Sequence, residues 1–152
     1  MEKEYFEDYR VGETFVSPAR TVTESDIHAY AALTGDWHPL HTDVQYAQNS
    51  NFGERIAHGM LTLSIGLALP FRLGLHVITP KSFIAFYGME SVKFTAPCTI
   101  GDTIRTQVEV VELIEKDEAR GIVVYEYKTM NQKEETVVTF IARLLSGRKP
   151  VT

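Results

Sequence analysis

From Gly59 to about Leu73 the apolar residues Met60, Leu61, Leu63, Ile65, Leu67, Leu69 and Phe71 fall on every side of the helix they would form. A helix without a polar face has to be buried, so the rest of the chain must supply something to wrap it. The wrapping is legible downstream, where the period changes to two. Phe83, Ala85 and Tyr87 alternate, as do Val92 and Phe94, and then Ile104, Thr106, Val108 and Val110. Ile122 and Val124 oppose Val123 and Tyr125, and Val137 to Leu145 closes the series. Four long strands are predicted. Their separators, Pro97 to Asp102, Glu115 to Gly121 and Asn131 to Glu135, are short enough for antiparallel hairpins. Helices first and strands after give an α+β domain in which a curved antiparallel sheet wraps one long buried helix. The small residues Ser64, Gly66 and Ala68 would admit close packing against that helix.

The first third of the chain is less regular. Glu13 to Thr23 carries Phe15, Val16 and Val22 around Pro18, which reads as an edge strand or extended arm because proline cannot donate to a ladder. Thr23-Glu-Ser-Asp26 has the form of a capping box, and Ile27, Tyr30 and Ala31 follow at helical spacing. A helix from about Ser25 to Leu33 is predicted, ended by Thr34-Gly35. Pro39 biases His38 away from helical dihedrals, so Asp36 to His41 is expected to be irregular. Thr42 to Gln48 would form another helical turn. No repeat or linker divides residues 1–152, which read as a single domain.

Bulk composition narrows the function classes. A hydrophobic share of 44% over 152 residues supports a sizeable core. The net charge of −5 argues against nucleic acid as a partner. One cysteine, Cys98, allows no internal disulfide and fits a reducing compartment. The acidic opening Met-Glu-Lys-Glu-Tyr has no apolar core of the signal-peptide kind. The run from Met60 to Leu75 is interrupted by Pro70 and Arg72 and falls short of the roughly 20 apolar residues that span a membrane. A soluble cytoplasmic protein without a membrane partner is expected.

The chemistry is concentrated between Leu33 and Leu61. Asp36 and His41 are a carboxylate and an imidazole on one short segment, a pair suited to general acid–base work. His58-Gly59 stands at the entry of the apolar helix, where the Gly59 N–H is an unsatisfied donor able to stabilise a developing oxyanion. Together they point to proton chemistry beside a carbonyl. Plainer roles are available: Asp36 could cap its own turn, Gly59 could be a tight helix entry, and Asp43 caps the turn that follows. His58 reads as a residue that holds the loop through its side chain, and Trp37 as a substrate wall or a packing residue. Asp36, His38, His41 and His58 are of the types that bind zinc or iron. The loop set by Pro39 shows no recognised ligand spacing, however, and no metal is expected.

The stretch Thr34-Gly-Asp-Trp-His-Pro-Leu-His-Thr-Asp43, with Tyr46-Ala47, Phe52-Gly53 and Ile56-Ala-His-Gly-Met-Leu61, resembles the MaoC-like, or (R)-specific enoyl-CoA hydratase, family. Thr99 to Ile104 extends the likeness, which runs from about Gly12 to Leu145. The resemblance implies a hot-dog fold and the hydration of a trans-2-enoyl-CoA to an (R)-3-hydroxyacyl-CoA, or the reverse dehydration. It assigns Asp36 and His41 as the catalytic pair acting on one water. Gly59 becomes the oxyanion donor, with His38, Trp37, Pro39 and His58 around them at the substrate. Coenzyme A would arrive as part of the substrate, with no separate cofactor, and its phosphates would need basic residues among Arg55, Arg72, Lys81, Lys93 and Arg148. Many members of the family have Asn where this chain has His38, and His38 is expected to orient the pair through one ring nitrogen. A hot-dog thioesterase and a non-catalytic acyl-CoA-binding subunit are the alternatives. Ala57 to Leu73 lacks the Asp or Glu such thioesterases use, and the Asp36–His41 pair is intact. An open sheet edge would be covered in a homodimer or a larger homo-oligomer.

Overall fold

The computed structural model describes residues 1–151. Pro18 splits the amino-terminal arm into two short strands, β1 (Thr14–Val16) and β2 (Arg20–Thr21). Helix α1 (Glu24–Thr34) opens on the predicted capping box, with Thr23 and Asp26 each accepting from the other's backbone N–H, and ends on Gly35 in the left-handed region at φ 81°. The segment expected to be irregular instead contains a short helix, α2 (Pro39–Thr42). Pro39 occupies its first turn, where the missing N–H costs nothing and the fixed φ suits a helix start. Asp43 then caps α3 (Val44–Gln48) through the Tyr46 N–H.

The apolar run forms α4 (Gly59–Ala68), continued by a 3₁₀ segment, Leu69–Leu73, that begins at Pro70's turn. The helix is therefore shorter than the apolar run. It is also not buried all round. Leu61, Leu63 and Ile65 face the core, whereas Met60, Ser64 and Ala68, spaced by four, form an exposed stripe. One sheet covers one side of a helix, and the Met60, Ser64 and Ala68 side of α4 is left exposed. A kinked helix, α5 (Leu75–Ile78), leads into the sheet.

Four long strands follow as predicted: β3 (Phe83–Phe94), β4 (Thr103–Glu115), β5 (Arg120–Met130) and β6 (Thr136–Gly147). The sheet is antiparallel throughout, in the order β1-β4-β5-β6-β3, with β2 also paired to β4. Two of the three expected hairpins form. The exception is the connection through Pro97, because β3 pairs with β6 at the far side of the sheet. Residues 95–102 therefore cross three inter-strand spacings, roughly 14 Å, passing the start of α4 on the way. There Ala57 N–H donates to the Cys98 carbonyl at 2.7 Å and Ile56 bridges to Thr99.

The core lies between α4 and the concave face of the sheet. Alternation on β4 turns Ile104, Thr106, Val108 and Val110 inward, where they join Tyr125, Tyr127 and Phe140. Gly66 lets α4 settle onto the Thr106–Thr129 hydroxyl pair, itself joined at 2.9 Å; a methyl group at position 66 would collide with Thr129 Oγ1. Ile122, Val124 and Leu145 form a smaller apolar cluster on the convex face.

Candidate active site

The start of α4 and the end of α1 bring the candidate residues together. The left-handed Gly35 turns the chain sharply out of α1, and its N–H still donates to the Ala31 carbonyl at 2.8 Å. Asp36 follows in an open position, and one carboxylate oxygen accepts from the His38 backbone N–H at 3.2 Å. Helix α2 then places His41, half-buried, opposite the residues leading into α4. Its Nδ1 donates to the Ile56 carbonyl at 2.7 Å. That bond fixes the proton on Nδ1 and leaves the Nε2 lone pair free, as an acceptor should be.

His58 is 1% exposed, and its Nε2 donates to the Asp36 backbone carbonyl at 2.9 Å. Its ring stacks on His41 at 3.9 Å between centroids and has Tyr30 on its other side at 4.7 Å. Asp36, His41 and His58 thus each offer a polar atom within 4.8 Å of the others. A gap of that size between carboxylate and imidazole is spanned by one water donating to or accepting from both. Burial is the largest cause that pulls the His41 pKa below its ordinary value; the neighbouring His58 and His38 act in the same direction, against the Ile56 bond and the Asp36 charge. His41 is accordingly neutral near pH 7.

His58 is also the residue preceding α4, and no side chain caps that helix end. The Gly59 N–H therefore remains a donor at a positive helix terminus. A side chain at position 59 would bring its Cβ to 2.9 Å from the Phe94 ring, so glycine is what lets the backbone lie open here. Beneath Gly59 a cavity of about 520 Å³ runs between α4 and the crossing segment that begins at Phe94.

The other expected site residues are placed differently. The His38 ring Nδ1 accepts from the Leu40 N–H at 3.1 Å, so its bond caps α2 and reaches neither Asp36's carboxylate nor His41. Pro39 shapes the helix start. Trp37 is 53% exposed, lies near His28 and does not line the cavity. Among the basic candidates, Arg55 pairs with Glu24, Arg148 with Glu7 and Glu115, and Lys81 approaches Glu2. Arg72 and Lys93 have no carboxylate partner among the described residues. Sequence reasoning passed over the Ile56 carbonyl, Tyr30 and Phe94. Tyr30's helical spacing marked it as packing, and an acceptor on the main chain has no signature in residue type.

The chain has known counterparts. Residues 7–133 match the family model described as a MaoC like domain. An (R)-specific enoyl-CoA hydratase from Rhodospirillum rubrum is 42% identical over 110 residues, 72% of each chain. Protein MaoC of Klebsiella aerogenes is 38% identical over 70% of this chain but only 30% of its own length. Among solved structures, a monoamine oxidase regulatory protein from Archaeoglobus fulgius superposes with a TM-score of 0.92 at 42% identity, covering 97% of both chains. At 19% identity, the likeness to a conserved hypothetical protein from Mycobacterium tuberculosis with a double hotdog fold speaks to fold alone; its TM-score is 0.81 over 99% of this chain and 46% of that one. A sheet curled around α4, a paired Asp36 and His41 and an uncapped Gly59 thus sit in a chain that belongs to the MaoC-like dehydratase family and has the hot-dog fold.

Proposed function

We propose that the protein hydrates a trans-2-enoyl-CoA to an (R)-3-hydroxyacyl-CoA, or runs the reverse dehydration. The observation that carries this reading is the one-water gap between Asp36 and His41 beside the uncapped Gly59 N–H. The thioester carbonyl accepts from Gly59, which polarises the conjugated double bond. The water between Asp36 and His41 adds its oxygen to C3 while the pair takes one proton and returns one to C2. The free Nε2 of His41 suits it to share that proton. The names of the relatives, hydratase among them, support the same chemistry. No metal or separate cofactor enters the proposal.

The proposal includes a second copy of the chain. Strand β3 ends the sheet with its outer edge unpaired and exposes Ile84, Phe86, Tyr87 and Phe94, and α4 exposes its Met60 stripe nearby. A homodimer formed along β3 would cover both.

Incubation with crotonyl-CoA should bleach the enoyl absorbance and yield the (R)-3-hydroxy product without release of free CoA. Asp36→Asn should lower kcat/KM by about 10²–10⁴-fold with the fold intact. Release of free CoA would replace this reading with thioester hydrolysis, and no turnover with any chain length would leave acyl-CoA binding only.

A further inference from the structure

The cavity beneath Gly59 bears on the acyl group. It shares Gly59 with the candidate oxyanion site, so a thioester carbonyl held there directs its acyl carbons inward. Its walls come from Ile56, Met60 and Thr62 on one side and from Phe94, Cys98 and Val137 on the other, and no charged side chain lines it. The hydroxyl side chains in the lining are already engaged. Thr62 Oγ1 donates to the His58 carbonyl at 3.4 Å, and Thr95 Oγ1 donates to the Thr136 carbonyl at 2.6 Å. Apart from the Gly59 N–H, which the thioester carbonyl occupies, no side chain in this wall could pair with a carboxylate, and an unpaired ion in such a place is strongly disfavoured.

The one titratable group in the lining reports the same hostility to negative charge. Burial, with Asp102's charge adding to it, pushes the Cys98 thiol up to about 11. The volume matters too. A methylene is about the size of a water molecule, whose share of liquid volume is about 30 Å³, so a four-carbon acyl chain would fill only a minor part of 520 Å³. Phe94, whose ring closes on Gly59, forms the wall beside the reacting carbons.

We infer that this cavity selects uncharged acyl chains longer than four carbons and excludes dicarboxylic ones. The inference rests on the hydratase reading for its orientation of the substrate, and binding tests it separately from turnover. Butyryl-, hexanoyl- and octanoyl-CoA should bind the full-length protein with affinity rising about fourfold per methylene. Succinyl-CoA, matched to butyryl-CoA in length, should bind at least about 100-fold more weakly than it. A flat ladder, or succinyl-CoA binding as well as butyryl-CoA, would overturn the inference even if crotonyl-CoA is hydrated. A rising ladder with no turnover would sink the hydratase reading and leave the pocket assignment standing.

Discussion

His41 and His58 are chemically alike and placed for different tasks. Each grips a main-chain carbonyl, yet His41 keeps a free nitrogen at the open end of the stack while His58 is enclosed between Tyr30 and His41. Burial holds the His41 pKa below its ordinary value of 6.5, so the neutral, proton-accepting form persists into mildly acid solution. As pH falls the unfolded chain takes up the proton first, so this residue's contribution to stability declines from pH 6.5 downward, while activity persists until the folded chain's His41 is itself protonated, below pH 6.5. The acid limb of the kcat/KM profile should therefore lie on the acid side of pH 6.5. In His58→Gln, which keeps a donor for the Asp36 carbonyl, that limb should move upward, though only part of the way, since burial is the larger cause. A limb above neutrality in the wild type would contradict the neutral-His41 assignment.

Helix α4 shows how far element-level patterns can be read. Its apolar composition announced a wrapped helix, and the period-two runs announced the sheet that wraps it. Composition could not say that only one side is wrapped, because Met60 is equally apolar facing a core or facing out. Nor could separator length distinguish a hairpin from the crossing at Pro97; a short connection limits distance and leaves the partner strand undetermined. Pro39 misled for a related reason, since proline stops one helix and starts the next with the same ring. Asp36, His41 and Gly59 stood out because their residue types sit together in the sequence, whereas Phe94 arrives from a remote strand end. Gly66 gives the packing a signed test. In a solvent-facing helix Gly→Ala is stabilising by about 1 kcal/mol. Here the added methyl meets Thr129, and Gly66→Ala should instead destabilise by about 1–3 kcal/mol. That corresponds to a fall in Tm of roughly 2–10 °C. A rise in Tm would show that α4 and β5 are less tightly seated.

For the molecule as a whole the asymmetry of the sheet is decisive. One edge is the three-residue β1, helped by β2; the other is the twelve-residue β3. Register shifts along β3 and the positive φ of 55° at Ser91 keep that long edge from being a flat template. The protein should scatter light as twice its chain mass. Phe86→Glu should weaken self-association by on the order of 10²-fold or more, since a twofold interface feels the change twice. A wild-type monomer, or a Phe86→Glu dimer of unaltered affinity, would place the interface elsewhere or remove it. The two histidine anchors have a different consequence, for how such a molecule can drift in evolution. A peptide carbonyl presents the same oxygen whatever side chain stands beside it, so substitutions at position 56 leave His41's anchor in place. The cavity walls enjoy no such indifference, because there every side chain is itself the surface. Mutation can therefore rewrite what this chain admits while the frame that aligns Asp36 with His41 stays fixed.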